Sequence, residues 1–419
     1  MFTAAGGRKT RGFAAVAAVA VATAVAFLLP GLSSGAGPAI TSYGDSSIGT
    51  PFEIVTGPDG ALWFTNFTKN SIGRITVGGA VSSFAVPGSL PFGITSGPDG
   101  ALWFTLTGSN AIGRITTGGA VSTFTAAGIQ SPIGITAGSD GALWFTNPAG
   151  NSIGRITPSG SVTIYHDPSM HAPARIVAGP DGALWFTNNG NDTIGRITTD
   201  GSVSHFADPG TGTRVPLGIT VGPDGAIWFT NAGNLTIGRI TMDGSVTTYS
   251  DPSIHVPTEI ATGPDGALWF TNAGSDPANN TIGRLTTAGV VSSYGDPSIS
   301  GPDGITAGPD GGMWFTNARN NTIGRIQAAL DPAALLAALF DAVTDPPVGP
   351  GTSLGDKIAT AELANTQLDT GATCSALRSF EAEVRAQTGK SIPSGSGPSQ
   401  SGGLLSAADQ IAGLIGCPT

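Results

Sequence analysis

The sequence has little material for disulfides, metal sites or a basic surface. Only two Cys and four His occur among its 419 residues, which excludes a disulfide-dense scaffold and a zinc site built from Cys. Charged residues make up 11 %, and 28 Asp and Glu outnumber 18 Lys and Arg, for a net charge of −10. Because no basic surplus is available to meet phosphates, nucleic acid is excluded as a partner. Hydrophobic residues at 40 % exclude a wholly disordered chain.

The N-terminus is typical of a secretory signal over residues 1–36. Arg8, Lys9 and Arg11 precede an apolar run over residues 13–32, and small residues follow at 34–36. This order of basic, apolar and small residues predicts export and cleavage. The alternative is a retained membrane anchor, since about 20 apolar residues can span a bilayer. After cleavage, no further membrane span is expected.

A ten-residue segment, Gly-Pro-Asp-Gly-Ala-Leu-Trp-Phe-Thr-Asn at residues 57–66, recurs along the chain. An Ile-Gly-Arg segment, followed by Ile-Thr in five of the seven copies, comes after each copy. Every Trp of the protein belongs to this repeat. The Trp and Arg positions of the seven copies are Trp63, Trp103, Trp144, Trp185, Trp228, Trp269 and Trp314, and Arg74, Arg114, Arg155, Arg196, Arg239, Arg284 and Arg325.

Each of the first six copies contains four short segments rich in β-branched and aromatic residues, bounded by Gly, Pro, Asn and Asp. Four antiparallel strands repeated seven times predict an all-β, seven-bladed β-propeller over residues 37–327. The seventh copy lacks its fourth strand, whereas residues 39–44 form an unpaired strand before the first copy. We therefore expect the N-terminal strand to complete blade seven.

The repeated Trp, Arg and Asp are interpreted as structural. A Trp in every blade is expected to pack between neighbouring sheets. The seven Arg and the seven Asp of the turns are expected to form hydrogen-bonded or ion-paired struts. The alternative for the Arg set, a ring that binds an anion, is opposed by the negative net charge.

The composition changes after Gln327. Residues 328–349 are predicted to be a helix and linker, and residues 350–419 a small α-helical domain. Its helices are expected at 356–364, 374–388 and 404–415, with a polar stretch at 391–403. The only two cysteines, Cys374 and Cys417, are expected to form a disulfide in an exported chain.

The repeat pattern P-x-G-I-T-x-G-P-D-G-x-L-W-F-T, followed by N-x-I-G-R-I-T, resembles the streptogramin B lyases, also called virginiamycin B lyases. The resemblance covers residues 39–327. It implies a seven-bladed propeller and an Mg²⁺-dependent elimination that opens a cyclic depsipeptide antibiotic at its ester bond. It also implies antibiotic inactivation as the biological outcome.

The resemblance further implies four site positions, and none of them holds the residue expected. Thr258 and Asp303 stand at the two His positions, and Gly301 and Ala318 stand at the two metal-binding Glu positions. Abstracting a proton next to a carbonyl needs a base, usually His, and Mg²⁺ needs oxygen ligands, usually carboxylates. We therefore expect that the catalytic set is not retained, with Asp303 and Glu259 only weak candidates for metal binding.

Other polar residues cluster around the loops that enter each first strand. Glu53, Arg175 and Glu259 replace a Gly of the framework, while His171 and His255 follow a repeated Asp-Pro-Ser motif. Our hypothesis is that His255, Glu259, Asp303 and Glu53, from neighbouring blades, line a polar and cation-binding pocket at the channel mouth. His171 and Arg175 are further candidates for contact with a ligand at the rim. The alternative is that these residues only solubilise the rim.

The C-terminal domain resembles the small helical FIMAH-type domain of secreted bacterial proteins, through residues 353–358, 374–380 and 413–417. That resemblance implies an extracellular accessory or binding module. The first functional prediction is a secreted, non-catalytic protein without a cofactor, which binds a small molecule, a peptide or a cell-surface ligand at the propeller rim. The alternatives are an Mg²⁺-dependent streptogramin-type lyase and a structural surface protein.

Overall fold

The computed structural model describes residues 38–207, 213–327 and 370–387, together with Leu405 and Ala408. Twenty-eight strands form seven antiparallel sheets of four strands each. The N-terminal strand and the first three blades are β1 (Ile40–Gly44); β2 (Pro51–Thr56), β3 (Leu62–Asn66), β4 (Ser71–Ile75), β5 (Val81–Ala85); β6 (Pro91–Ser96), β7 (Leu102–Leu106), β8 (Ala111–Ile115), β9 (Val121–Thr125); and β10 (Ile135–Ala137), β11 (Leu143–Asn147), β12 (Ser152–Ile156), β13 (Val162–His166).

The remaining four blades continue the same order. They are β14 (Pro173–Ala178), β15 (Leu184–Asn188), β16 (Thr193–Ile197), β17 (Val203–Phe206); β18 (Pro216–Val221), β19 (Ile227–Asn231), β20 (Thr236–Ile240), β21 (Val246–Tyr249); β22 (Pro257–Thr262), β23 (Leu268–Ala273), β24 (Asn280–Leu285), β25 (Val291–Gly295); and β26 (Pro302–Ala307), β27 (Gly312–Asn317), β28 (Thr322–Gln327). The first strands of successive blades contact one another in a closed ring, from β2 through β26 and back to β2. This is the predicted seven-bladed β-propeller, with the first strands around its central channel.

Blade seven is completed by the N-terminal strand, as predicted. Strand β1 pairs antiparallel with β28, from Ile40 opposite Ile326 to Gly44 opposite Thr322. The Tyr43 ring stacks on Trp314 of the same blade, with ring centroids 5.3 Å apart. The first and last strands of the propeller are thus hydrogen-bonded to each other, and β1 covers the edge of β28.

The repeated Trp, Asp and Arg form one structural unit in every blade, which confirms the structural interpretation. Each Trp is fully buried among apolar residues of its own and the next blade. In blade one, Trp63 Nε1 donates to Asp59 Oδ1 at 2.9 Å and Arg74 Nε donates to Asp59 Oδ2 at 2.7 Å. The same ion pair occurs in all seven blades. Each of these Arg is thus paired with an Asp of its own blade, as the strut interpretation predicts.

The Gly of each Ile-Gly-Arg-Ile segment is required by the packing of the Phe next to the Trp. A Cβ atom on Gly73 would lie 2.2 Å from the Phe64 ring, and the equivalent Gly of every other blade meets its own Phe in the same way. This close approach lets a fully buried Phe fill the space between neighbouring sheets. The repeat motif is therefore a packing motif.

One C-terminal helix is described, α1 (Thr370–Gln387), which begins four residues before the helix predicted at 374–388. Its buried residues Cys374, Leu377, Phe380 and Val384 recur at helical spacing. The predicted signal, the helix and linker at 328–349, the helix at 356–364 and Cys417 lie outside the described residues, as does all of 404–415 except Leu405 and Ala408. The Cys374–Cys417 disulfide stays a prediction. Among the described helices, none is long and apolar enough to cross a membrane.

Candidate functional site

The channel residues are held by a ring of seven buried threonines, one from the second strand of each blade. In blade one, Thr65 Oγ1 accepts the N–H of Glu53 at 3.1 Å and donates to the carbonyl of Phe92 in blade two at 2.8 Å. Equivalent bonds join every pair of neighbouring blades, and Thr316 closes the ring by donating to Phe52 at 2.6 Å. The backbone at the channel mouth is therefore fixed by hydrogen bonds between blades.

A break in strand pairing presents side chains to the channel. In six of the seven blades the register shifts between the Pro that opens the first strand and the Ile three residues later. Such irregularities re-aim side chains. The residue before the Ile, here called the channel position, is Glu53, Gly93, Gly134, Arg175, Gly218, Glu259 and Gly304 in blades one to seven. The four glycines leave room for the three long side chains.

Those three side chains and Asp303 meet across the channel and form what we call the channel cluster. Arg175 Nε donates to Glu259 Oε2 at 2.6 Å. Arg175 Nη2 lies 3.3 Å from Glu53 Oε2 and 3.7 Å from Asp303 Oδ1. One guanidinium from blade four thus contacts carboxylates from blades six, one and seven.

The channel cluster is largely removed from water. The side chains of Arg175 and Glu259 are 14 % and 8 % exposed. Burial raises the pKa of Glu53 to about 8, because the nearby charges of Glu259 and Asp303 add to desolvation and outweigh the attraction of Arg175. Burial also raises the pKa of Asp303 to about 6. Desolvation opposes the charge of Arg175, but the three carboxylates hold its pKa above the ordinary value.

An aromatic group adjoins the channel cluster. Phe52 and Phe92 stack with ring centroids 4.7 Å apart, and Phe67 packs edge-on against Phe52 at 5.0 Å. The Arg175 Cζ atom lies 4.9 Å from the centroid of the Phe92 ring. This cation–π contact holds the guanidinium in addition to its ion pairs with the carboxylates. These Phe were not predicted from the sequence, although Phe52 and Phe92 follow the Pro of their strands as Asp303 does.

A cavity of 190 Å³ lies inside the channel next to the channel cluster. Glu53, Arg175 and Glu259 form its charged wall. Isoleucines that directly follow the channel positions form most of the remaining wall. They are Ile94, Ile135, Ile176, Ile219, Ile260 and Ile305.

The structure brings three members of the hypothesised pocket together and leaves the fourth outside. Glu53, Glu259 and Asp303 converge on Arg175, which sequence reasoning had named separately. His255 lies in the entry loop of blade six, where its backbone N–H donates to Asn272 Oδ1 at 3.2 Å. Neither His255 nor His171 lines the cavity. His171 is exposed.

The positions implied by the family resemblance hold residues with other contacts. Thr258 Oγ1 lies 2.8 Å from Thr271 Oγ1. Gly301 has a φ of +58°, and a Cβ atom there would lie 2.6 Å from Arg319 Cγ. Ala318 donates its N–H to the Gly301 carbonyl at 3.0 Å. A glutamate at position 301 would therefore face both backbone strain and a collision with Arg319.

The residues present do not fit Mg²⁺. A guanidinium lies among the three channel carboxylates, where a divalent cation would be repelled. At the implied metal positions, the side chain of Arg319 packs against Gly301, and its Nη1 donates to the carbonyl of Gly274 at 2.9 Å. Within the described parts of the chain, no group of three or more His, Cys, Asp or Glu is arranged to hold a metal ion.

Comparisons with known proteins agree with the fold and the repeat. The model of the virginiamycin B lyase family matches residues 36–173 and 126–331. A solved streptogramin B lyase is 34 % identical, covers 68 % of this chain and 96 % of its own, and superposes with a TM-score of 0.64. No curated protein sequence matched the chain.

Two further solved structures show how far the likeness extends. A catalytically inactive histidine-to-alanine variant of the Staphylococcus aureus virginiamycin B lyase, with quinupristin, is 35 % identical, with a TM-score of 0.64, and the match covers 70 % of this chain and 99 % of that one. Hydrazine synthase from Kuenenia stuttgartiensis is 16 % identical with a TM-score of 0.58, covering 68 % of this chain and 98 % of that one. The second match indicates the propeller fold alone.

Proposed function

The chain belongs to the virginiamycin B lyase family, and we propose that it is an exported binding protein of that family that has no lyase activity. The observation that carries this proposal is the guanidinium of Arg175, which contacts all three channel carboxylates. An internal cation in this place leaves no set of carboxylates free for a metal. The ligand would bind at the channel mouth, on Arg175 and the carboxylates that it contacts.

The missing base supports the same proposal. Elimination from an ester requires removal of a proton next to a carbonyl, which His commonly performs. Thr258 is a neutral alcohol that is hydrogen-bonded to a neighbouring threonine. All four His of the chain lie among the described residues, and none lines the cavity. In the Staphylococcus aureus relative, a histidine-to-alanine variant is inactive, so a member without such a His is expected to be inactive too.

Export is part of the proposal and is supported by the N-terminal sequence. Residues 1–36 carry the basic, apolar and small-residue order of a secretory signal. The mature protein would act outside the cytoplasm, where it meets small molecules, peptides or cell-surface ligands.

One observation favours a second candidate, a divergent lyase. Burial raises the pKa of Asp303 to about 6, which is closer to neutrality than an ordinary aspartate and better suited to a general base. The high sequence identity to lyase structures points the same way. Against it, Asp303 contacts Arg175, and the site does not fit Mg²⁺.

We expect no turnover of a streptogramin B antibiotic by the purified protein. The assay is liquid chromatography–mass spectrometry after incubation at high protein concentration, with and without Mg²⁺, beside the Staphylococcus aureus lyase as a positive control. The expected product yield is indistinguishable from the protein-free control, because a base and a metal site are both missing.

A linearised product that disappears with EDTA would contradict the proposal. In that case Asp303→Asn, which changes one carboxylate and little volume, would show whether Asp303 is the recruited base. Loss of the product in this variant would establish the lyase alternative.

A further inference from the structure

The cavity inside the channel has a mostly polar wall. The side chains of its six isoleucines belong to the cores between neighbouring blades and are only between 3 % and 7 % exposed. These residues therefore face the cavity largely through their main chain. Each first strand pairs with another strand on one side only, so the N–H and C=O groups along its other edge are turned toward the channel. The wall thus offers main-chain donors and acceptors beside its charged side chains.

The charged part of the wall consists of Glu53, Glu259 and Arg175. Arg175 Nε binds Glu259 closely, at 2.6 Å. Glu53 Oε2 lies 3.3 Å from Arg175 Nη2, which is longer than a close charge-assisted hydrogen bond of about 2.7–2.9 Å. The Glu53 side chain is also 17 % exposed, and a carboxylate accepts about four hydrogen bonds. Glu53 therefore has acceptor capacity left at the cavity wall.

The charges of the channel cluster restrict the class of ligand. An anion would meet the carboxylates of Glu53, Glu259 and Asp303, and a cation placed among these carboxylates would meet the guanidinium of Arg175. An alkyl chain would find no apolar wall to pack against. A neutral group that both donates and accepts hydrogen bonds avoids all three conflicts, and a hydroxyl is such a group.

We infer that this cavity binds a neutral monosaccharide, whose hydroxyls donate to Glu53 and accept from Arg175 and from main-chain N–H groups. The inference rests on the binding function proposed above and names its ligand class. The volume of 190 Å³ corresponds to about six water molecules at liquid density, which is enough for one sugar ring. A ring with several hydroxyls engages several of these groups at once, without the entropy cost of ordering separate water molecules.

The test is isothermal titration calorimetry at pH 7 with glucose, galactose and mannose. The amino-sugar and uronic-acid counterparts of the tightest binder retain its ring and add a positive or a negative charge. Cyclohexanol has a ring of similar size with a single hydroxyl. We expect at least one of the neutral sugars to bind in the millimolar range or more tightly. Both charged counterparts and cyclohexanol should bind at least about tenfold more weakly.

A substitution at Glu53 tests whether the sugar binds at this place. Glu53→Met keeps the length of the side chain, removes both carboxylate oxygens and should weaken sugar binding at least about tenfold. The matched control Glu381→Met makes the same change in α1, outside the cavity, and should change affinity less than about twofold. A second readout needs no variant for the contact itself. In protein labelled with ¹³C at Glu, the sugar should shift the carboxyl signal of Glu53 and leave that of Glu381 unmoved.

Four results would each overturn the inference. They are the absence of binding by all three sugars, equal affinity for a charged counterpart or cyclohexanol, wild-type affinity in Glu53→Met, and a Glu53 signal that the sugar does not shift. Absence of sugar binding together with absence of streptogramin turnover would overturn this inference alone. Streptogramin turnover would overturn the proposed function, whatever the calorimetry gives.

Discussion

Arg175→Met is expected to lower the stability of the propeller by about 3 kcal/mol or more, since breaking a buried ion pair costs about 3–5 kcal/mol. The substitution keeps much of the apolar stem and removes the guanidinium, which leaves Glu259, with its side chain 8 % exposed, without a counter-charge. Loss of the contact with Phe92 adds to the effect. Chemical denaturation at pH 7 measures the change.

Arg196→Met is the matched control in the same blade. Arg196 Nε pairs with Asp181 Oδ2 at 2.7 Å, as Arg175 Nε pairs with Glu259, and the Arg196 guanidinium lies over the Trp185 ring. The Arg196 side chain is 26 % exposed, so water compensates for much of the lost ion pair. We expect a change of about 1 kcal/mol or less, as for exposed pairs. Equal losses of stability in Arg175→Met and Arg196→Met would contradict the claim that the channel cluster stabilises the propeller more than an exposed ion pair does.

A second substitution separates the uncompensated charge from lost packing. Arg175→Met combined with Glu259→Met removes both partners of the buried pair. The double variant should recover much of the stability that the single variant loses, because well-packed apolar residues often replace a buried pair without net cost. No recovery would mean that Arg175 stabilises the propeller mainly through its other contacts.

Removal of strand β1, by beginning the chain at Asp45, is expected to open blade seven. The change eliminates five residue pairs between β1 and β28 and the stack of Tyr43 on Trp314. At about 1 kcal/mol for each hydrogen bond, the loss is about 4 kcal/mol or more. Thermal unfolding should shift strongly downwards, and size-exclusion chromatography should show association through the exposed edge of β28.

Two single substitutions isolate strand pairing from ring stacking. Tyr43→Ala and Tyr165→Ala remove rings that stack on Trp314 and Trp144 with the same 5.3 Å separation. Each should cost about 2 kcal/mol, which is less than for fully buried aromatic residues, because both are half-buried. The truncated chain should be less stable than both. A truncated chain that stays monomeric and as stable as Tyr43→Ala would refute the closure argument.

The fold could be predicted because each copy of the repeat contains the residues that define its own strands and turns. Turn residues bound every strand, and the Trp, Asp and Arg of a copy contact one another within that copy. Closure by residues 39–44 followed from counting strands. Helix α1 begins four residues and ends one residue before the predicted bounds, and β1 begins one residue after them.

The site was predictable only in part, because its members come from different blades. Glu53, Arg175 and Glu259 were conspicuous because they replace a framework Gly. Their convergence depends on the irregular register at the start of each first strand and on the threonine ring. Neither the irregular register nor the threonine ring produces a sequence pattern that differs from the pattern of ordinarily paired strands. His255 was misplaced for the same reason, since it belongs to the loop before that irregularity.

The central claim is that one guanidinium and one proton are shared by three carboxylates in the channel, which leaves one negative charge unbalanced. The chain contains only five glutamates, at positions 53, 259, 362, 381 and 383. Selective ¹³C labelling of Glu therefore gives five side-chain carboxyl signals, and Glu53→Gln identifies one of them. The native state holds more protons than the unfolded chain between the ordinary pKa of 4.5 and about 8, so this group stabilises the fold less as the pH rises through that window.

The most direct measurement is the pH titration of those five signals by NMR. The account predicts that the Glu53 carboxyl titrates near pH 8. Titration of the Glu53 signal at the ordinary value, near 4.5, would contradict it.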